Sequence, residues 1–332
     1  MPAYNAEKYV KEAVDSILTQ SFDDLELIVI NDGSRDATAT ILAQYTDPRL
    51  RVIHNDGNRG LIYSRNLGVD LAAGDFIAFL DSDDVAFPHR LQRQYEHLLR
   101  HPVTAAVGSW AQPMDANGHY RNFIWRYPGS SAFIKSTLLF RAYINTSTFF
   151  VRAAVMKSLR FSPTHPLAED YDMYLRCVRS HQVENMQEVL IACRVHAESV
   201  TKTKVDLLAE NLNAISRRAL LELGITPSEA EIKLHRYIEW LGQSGEQDVL
   251  QASNLWLRKI LAANDKMGIY DKTTLRHAAA ERWFAVCYAN SRQGLLALRH
   301  FVTGPLGAGG AVSVAQYAKL IVKALRYTLR SD

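Results

Sequence analysis

Two patterns of hydrophobic and polar residues divide this chain. Up to about residue 200, short apolar runs alternate with stretches in which apolar residues recur every three or four positions. Val10, Ala13, Val14, Ile17 and Leu18 share one helical face, with Pro2-Ala3-Tyr4-Asn5 at the head of that helix and Asn5 as its N-cap. A strand follows over 25–30, ending in Asn31-Asp32-Gly33-Ser34. Next come a helix over 37–45, a short strand over 51–53 and the loop Asn55-Asp56-Gly57-Asn58-Arg59-Gly60. A helix over 61–72 is then closed by Gly74 as C-cap. Phe76-Ile77-Ala78-Phe79-Leu80 is apolar throughout and reads as a buried strand. Beyond it, a helix over 88–101 turns Leu91, Tyr95, Leu98 and Leu99 inward, and a strand over 104–110 leads to the turn Asp115-Ala116-Asn117-Gly118. A helix over 131–140, a strand over 146–151, a helix from Ala168 to about Ser180 and a strand over 189–195 complete this part. Strand alternating with helix predicts an α/β fold with a doubly wound, mostly parallel sheet.

From about Lys204 the glycines thin out and helices are predicted over 205–223, 228–241, 248–263 and 273–290, with Thr226-Pro227-Ser228-Glu229 as a helix start. A boundary near residue 200 gives an α/β domain over 1–200 and a helical region over 201–332. At the end, Lys319, Lys323, Arg326 and Arg330 share one face of a helix, and Val314, Ala318, Ile321, Leu325 and Leu329 the opposite one. Such a helix can lie on an anionic membrane, or pack on the helical region with its basic side in water. The loop 303–310, rich in glycine, tethers it.

Composition narrows the picture. The 332 residues are 48% hydrophobic and 22% charged, as expected of a chain with a sizeable core. A formal net charge of +3 is too small to argue for nucleic acid as a partner. Cys177, Cys193 and Cys287 have no metal or redox spacing and suit a reducing compartment. No apolar run reaches the 18 residues of a membrane span, and Met1-Pro2-Ala3-Tyr4-Asn5 has no leader pattern. The expected location is the cytoplasm, with peripheral contact to the inner face of the membrane through the terminal helix as one option.

The chemistry concentrates at strand ends. The apolar run 76–80 passes straight into Asp81-Ser82-Asp83-Asp84, and acids this crowded raise one another's pKa. A divalent cation relieves that repulsion; Mg²⁺ and Mn²⁺ take carboxylate oxygens and bridge to phosphates. The bland alternative is a solvated acidic turn capping the next helix. Asp32 also follows a strand, where open α/β sheets bind ligands, although Asp-Gly is equally a common turn pair. Tyr4 could stack on a base or serve the core. Arg65 lies on a helix among apolar residues, where a solvated cation is the ordinary reading. Glu169 and Asp170 open a helix, where acids meet the macrodipole favourably whatever else they do. His196 follows a strand, and Arg194 lies two before it on the same side.

Taken in order, Pro2-Ala3-Tyr4-Asn5, Asn31-Asp32-Gly33-Ser34, Asn58-Arg59-Gly60, Ser64-Arg65-Asn66-Leu67-Gly68, Leu80-Asp81-Ser82-Asp83-Asp84, Pro88-His89-Arg90-Leu91, Glu169-Asp170 and Arg194-Val195-His196 resemble the family 2 glycosyltransferases. The resemblance covers roughly residues 2–200. It implies the GT-A fold and inverting transfer from a nucleotide-sugar, a UDP-sugar by expectation, to a glycan or lipid-linked acceptor of bacterial surface-polysaccharide type. It implies Mn²⁺ or Mg²⁺, held by Asp83 with Asp84 as a second candidate and His196 near the metal or diphosphate. It places Pro2, Tyr4, Asp32, Arg65, Asp81 and Ser82 against the nucleotide-sugar. Asp170 becomes the general base, with Glu169 beside it as the alternative. One departure stands out: the family has a short apolar strand directly before Pro-x-Tyr-Asn, and here Met1 takes its place. The expectation is that this strand is missing and that Met1 is internal to the true protein. The rival readings are a non-catalytic or truncated nucleotide-sugar binder, and a nucleotidyltransferase, which would want a glycine-rich basic loop not found here.

Overall fold

The computed structural model describes residues 1–196, 204–241, 248–304, 306–307 and 312–328. It falls into two units, Met1–Ile134 with Ala142–Asn211 and Lys135–Arg141 with Leu212–Asp332. The sequence reading put a boundary at about residue 200, which falls outside the described residues, whereas the two units change over at Asn211 and Leu212, with 135–141 in the second.

The first unit holds two sheets. In one, β1 (Pro2–Ala3) runs parallel to β2 (Leu27–Asn31), and β2 parallel to β3 (Leu50–His54). All five residues of β2 are buried, as befits a strand covered on both faces. The pairing in β1 is made by the Pro2-Ala3 of the motif itself, not by an apolar strand before it. Pro2 pairs with Ile30 and Ala3 with Asn31, and the Met1 amine donates to the Ile28 carbonyl at 2.9 Å. Asn5 is not the cap of α1 (Val10–Leu18), whose cap position is Tyr9. It takes a left-handed φ of 48°, which asparagine tolerates, and its side chain accepts from the Arg35 N–H at 2.9 Å.

The second sheet has the order β4 (Phe76–Ala78), β7 (Phe150–Arg152), β6 (Thr104–Met114), β8 (Gln182–Arg194), β5 (Val85–Ala86). Only β6 and β8 run parallel in it; the other pairings are antiparallel. The α/β class holds, but this sheet is mixed. Alternation fixes a strand's faces, not its direction, so periodicity could not foresee the reversal.

Helix α1 joins the two sheets. Val10, Ala13, Val14 and Ile17 pack against Leu27 and Val29 of the first and Ala86 and Ile191 of the second, together with Leu80 of the loop after β4. α2 (Thr38–Leu42) and α3 (Leu61–Leu71) follow β2 and β3. α3 ends at Ala72 in extended backbone, so Gly74 caps nothing; the Ala73 N–H goes to Glu26 instead. α4 (Arg90–Arg100) buries Leu91 and Leu98 against Val107 and Phe150, while Leu99 is 55% exposed rather than inward. α5 (Ser131–Thr137) is shorter than expected, and α6 (Ala153–Leu159) was not expected. Residues 146–148 form a 3₁₀ turn instead of a strand, because the Asn145 side chain caps them, accepting from the Ser147 N–H at 2.9 Å. α7 (Glu169–Ser180) begins where the sequence placed it.

Among the described residues the remaining α-helices are Val205–Glu222, Glu229–Trp240, Val249–Met267, Lys272–Ala289, Leu295–Thr303 and Val314–Thr328. Ser228 and Glu231 form a capping box at the predicted start. Leu295–Thr303 is new. Val314–Thr328 buries Leu320 and Ala324, with Tyr317 against Phe301, while Val314, Ala318 and Leu325 remain exposed. Leu329, Arg330 and half of the tether (residues 305 and 308–310) lie outside the described residues. Among the described residues no helix is long and apolar enough to cross a membrane.

Candidate active site

Strand β4 delivers the apolar run into the loop 79–84, and the loop is held from below. The buried guanidinium of Arg90 donates to the Phe79 carbonyl at 2.8 Å and to Gln94 at 3.0 Å. Burial pushes its pKa down to about 9, against the pull of Asp84. The Asp81 N–H donates to Ser147 Oγ at 3.0 Å. Asp84 is 4% exposed, accepting from the Arg194 N–H at 2.8 Å and from the Cys193 thiol at 3.2 Å. Burial first, then Asp83 and Asp81, push its carboxyl up to about 7. Both oxygens face protein donors, so Asp84 is an anchor of the loop, not the second metal candidate that the sequence suggested.

Asp83 faces the other way. Its Oδ2 lies 2.9 Å from His196 Nε2, and it keeps partial access to solvent. Burial and the neighbouring Asp81 raise its pKa, with His196 opposing. Arg194 braces this edge: its Nε donates to the Asp83 carbonyl at 2.8 Å, its guanidinium stacks on Tyr9 and it pairs with Glu12. Ser82, half-buried, lies between the two outward acids.

Arg65 links the acid loop to α7. It donates to Glu169 Oε1 at 2.6 Å and to Asp81 Oδ1 at 3.0 Å, over the face of Phe161. Burial works against its charge, yet Asp81 and Glu169 raise its pKa on balance. This arginine was expected against the nucleotide; its reachable partners here are the two acids. Asn66 beside it only clamps the backbone of Phe161, donating to its carbonyl and accepting from its N–H.

Of the two acids opening α7, Glu169 is 3% exposed and neutralised by Arg65. Asp170 is partly open, and Thr146 Oγ1 donates to it at 3.3 Å. Burial raises its pKa, opposed by Arg65, and the Tyr171 N–H helps to hold the charged form. Thr146 and Ser147 therefore touch Asp170 and the Asp81 backbone from one turn. The sequence reading missed this turn, whose only signal was Asn145-Thr146-Ser147-Thr148 interrupting a strand-like stretch.

A cleft of about 440 Å³ opens at the carboxyl ends of β2 and β3. Tyr4, Asn31, Gly33, Asn55 and Asn58 line it, and Tyr4 is 46% exposed there. Pro2, expected against the nucleotide-sugar, pairs with Ile30 and is not among the residues that line the cleft. Asp32 does not reach it: the carboxylate accepts from Asn55 at 2.7 Å and from the Arg59 and Gly60 N–H groups at 2.9 and 2.8 Å. It shapes the loop 55–60 rather than presenting oxygens to a ligand. Gly33, at φ 70°, lets that loop close in; a Cβ there would lie 2.4 Å from the Gly57 carbonyl carbon.

The donor set suits a hard or borderline divalent cation. Asp83 and the His196 imidazole lie 2.9 Å apart, and burial of Asp83 beside Asp81 leaves negative charge that a cation would offset; Asp81, held by Arg65, does not gather with them into a close three-ligand group.

A protein-family model, "Glycosyl transferase family 2", matches residues 1–159. An "Uncharacterized glycosyltransferase" of Haemophilus influenzae is 30% identical over 247 residues, covering 71% of this chain and 93% of that protein. A second H. influenzae protein of the same description is 32% identical over 210 residues, 60% of this chain; the match spans 65% of that relative's length. Among solved structures, Staphylococcus aureus TarS 1–349 in complex with UDP-GlcNAc superposes with a TM-score of 0.56 at 18% identity, covering all of this chain and 90% of that one. The resemblance extends to the GT-A fold, and the chain belongs to glycosyltransferase family 2.

Proposed function

We propose that this protein transfers a sugar from a nucleotide-sugar, a UDP-sugar, to a hydroxyl of a glycan or lipid-linked saccharide, with inversion at the anomeric carbon. The observation that carries the reading is the Arg65 bridge, which ties Asp81 of the acid loop to Glu169 at the start of α7, next to Asp170. In this reading the base stacks on Tyr4 and the ribose lies over Asn31 and Gly33. Asp81 and Ser82 meet the nucleoside or sugar. Asp83 and His196 would hold Mn²⁺ or Mg²⁺, which when bound neutralises charge on the departing diphosphate. Asp170 takes the proton from the acceptor hydroxyl as its oxygen attacks, and its raised pKa brings it nearer to the working pH of a general base. Glu169, tied to Arg65, positions rather than reacts. The UDP and UDP-GlcNAc complexes of TarS support the choice of donor. The exposed side of the helix Val314–Thr328, with Val314, Leu325, Lys319 and Arg326, supports peripheral contact with an anionic membrane where a surface polysaccharide is assembled.

The test is UDP release from a panel of nucleotide-sugars with Mn²⁺ and a polysaccharide or lipid-linked acceptor, with product anomeric configuration read by NMR. Acceptor-dependent release and an inverted product are expected. A retained configuration, or nucleotide binding without turnover on any donor, would overturn the reading.

A further inference from the structure

A cluster of metal-binding side chains lies at the far end of the strands that carry the candidate active site. His97 lies in the last turn of α4, His101 immediately follows that helix, and Glu184 is near the start of β8. Their ligand atoms all lie within 4.8 Å of one another, among the described residues the one such group of three. Glu184 is ten residues before Arg194 on β8, about 30 Å along the strand from the acid loop.

The details suit a cation better than a chance ion pair. His97 and His101 are separated by four residues at the end of one helix, so their rings stack with centroids 4.2 Å apart and face the same way. His101 Nδ1 lies 2.8 Å from the His97 carbonyl. A carbonyl only accepts, so Nδ1 carries the proton and Nε2 of the neutral ring keeps its lone pair outward. A backbone carbonyl behind a histidine is the partner that orients metal-bound imidazoles. Glu184 presents Oε2 to His97 Nε2 at 2.7 Å, while Thr104 Oγ1 donates to Oε1 at 3.2 Å. Thr104 thereby orients the carboxylate as a further second partner. Arg152, the nearby cation, is spent on the carbonyls of Leu98, His101 and Thr104.

We propose that His97, His101 and Glu184 form a second divalent-cation site, selective for zinc-class ions, that clips the end of α4 to β8. Two imidazoles and one carboxylate are a donor set for Zn²⁺ rather than for Mg²⁺, and three protein ligands leave a fourth position to water. On binding, the ion takes the place of the proton between His97 Nε2 and Glu184. That proton leaves to water and Nδ1 takes one up, so the ring stays neutral. The 2.7 Å contact opens to about 3.3 Å, the spacing of ligands at about 2.0–2.1 Å around a tetrahedral ion. The side chains sit at the surface and α4 is held independently by Leu91 and Leu98, so the site can form and empty without unfolding the helix.

The experiment is titration of tag-free, chelator-stripped full-length protein with Zn²⁺ in the presence of excess Mg²⁺, with visible absorption of bound Co²⁺ as a second readout. One Zn²⁺ per chain and a Zn²⁺-dependent rise in melting temperature are expected. His101→Ala and Glu184→Gln should each weaken binding at least about tenfold and abolish the thermal shift. His101→Ala should leave donor-dependent UDP release unchanged. Zinc bound equally well by both variants, or lost on Asp83→Ala while His101→Ala retains it, would overturn the proposal. The outcome does not depend on which donor the enzyme uses, so it is independent of the assay of transfer.

Discussion

Arg65→Met is the substitution that tests the frame of the site most sharply. It keeps the length of the side chain and removes its charge. Arg65 and Glu169 side chains are each 5% exposed, whereas Asp81 is 37% exposed. Breaking a buried pair by deleting one partner costs about 3–5 kcal/mol, because the other charge is left without compensation. The solvated Asp81 contact adds less than about 1 kcal/mol. The loss should therefore approach about 4 kcal/mol at pH 8 and should depend on pH. Burial raises Glu169, and Arg65 is the main force pulling it back; Asp170 shows the same balance. Without Arg65 both carboxyls rise further above the unfolded value of about 4. An acid whose folded pKa exceeds its unfolded one loses stability as pH climbs through that window. Urea denaturation of the native chain, Arg65→Met, Glu169→Gln and the double variant at pH 5 and pH 8 should show a gap that is small at pH 5 and wide at pH 8. The double variant should recover part of the loss. An equal gap at both pH values, with no recovery in the double variant, would refute the buried-bridge argument.

Three further outcomes follow from the same geometry. Asp170→Asn should lower sugar transfer by about 10²–10⁴ while UDP affinity, measured by calorimetry, stays unchanged. Gly33→Ala meets both a φ of 70° and the Gly57 backbone; it should lower the melting temperature, at a cost of about 1–3 kcal/mol, and weaken nucleotide binding together. Glu239, buried in the second unit, is pushed up to about 7 by burial against the pull of Arg236, Arg141 and Arg282. Its contribution to stability falls as pH rises from about 4 to about 7, so Glu239→Gln should flatten that decline in denaturant titrations, by on the order of 3 kcal/mol at pH 8.

What the sequence revealed depended on how local the information was. The apolar run into Asp81, the strand into Asn31-Asp32-Gly33 and the start of α7 at Glu169 are written in consecutive residues, and the structure places them accordingly. The partners of Asp84 and Asp32 are not. Asp84 is taken by Arg194 and Cys193, some 110 positions away, and Asp32 by N–H groups of a loop that only the turn at Gly33 brings near. Arg65 read as a solvated cation, or by resemblance as a nucleotide contact; its burial between Asp81 and Glu169 depends on α7 arriving 104 residues later. Leu99 and the 3₁₀ turn at 146–148 show the limits of periodicity: one residue of helical rotation, or one capping asparagine, decides the outcome. That Pro2-Ala3 pairs with Ile30 and Asn31 was not legible either, because two residues are too short to carry a pattern.

The most direct test of the claim that this site grips a cation against a diphosphate is UDP binding with and without Mn²⁺, for the native chain and for Asp83→Ala. Mn²⁺ should tighten UDP binding by at least about tenfold in the native chain and leave Asp83→Ala almost unchanged. Equal affinity with and without Mn²⁺, or an equal gain in both chains, would contradict it.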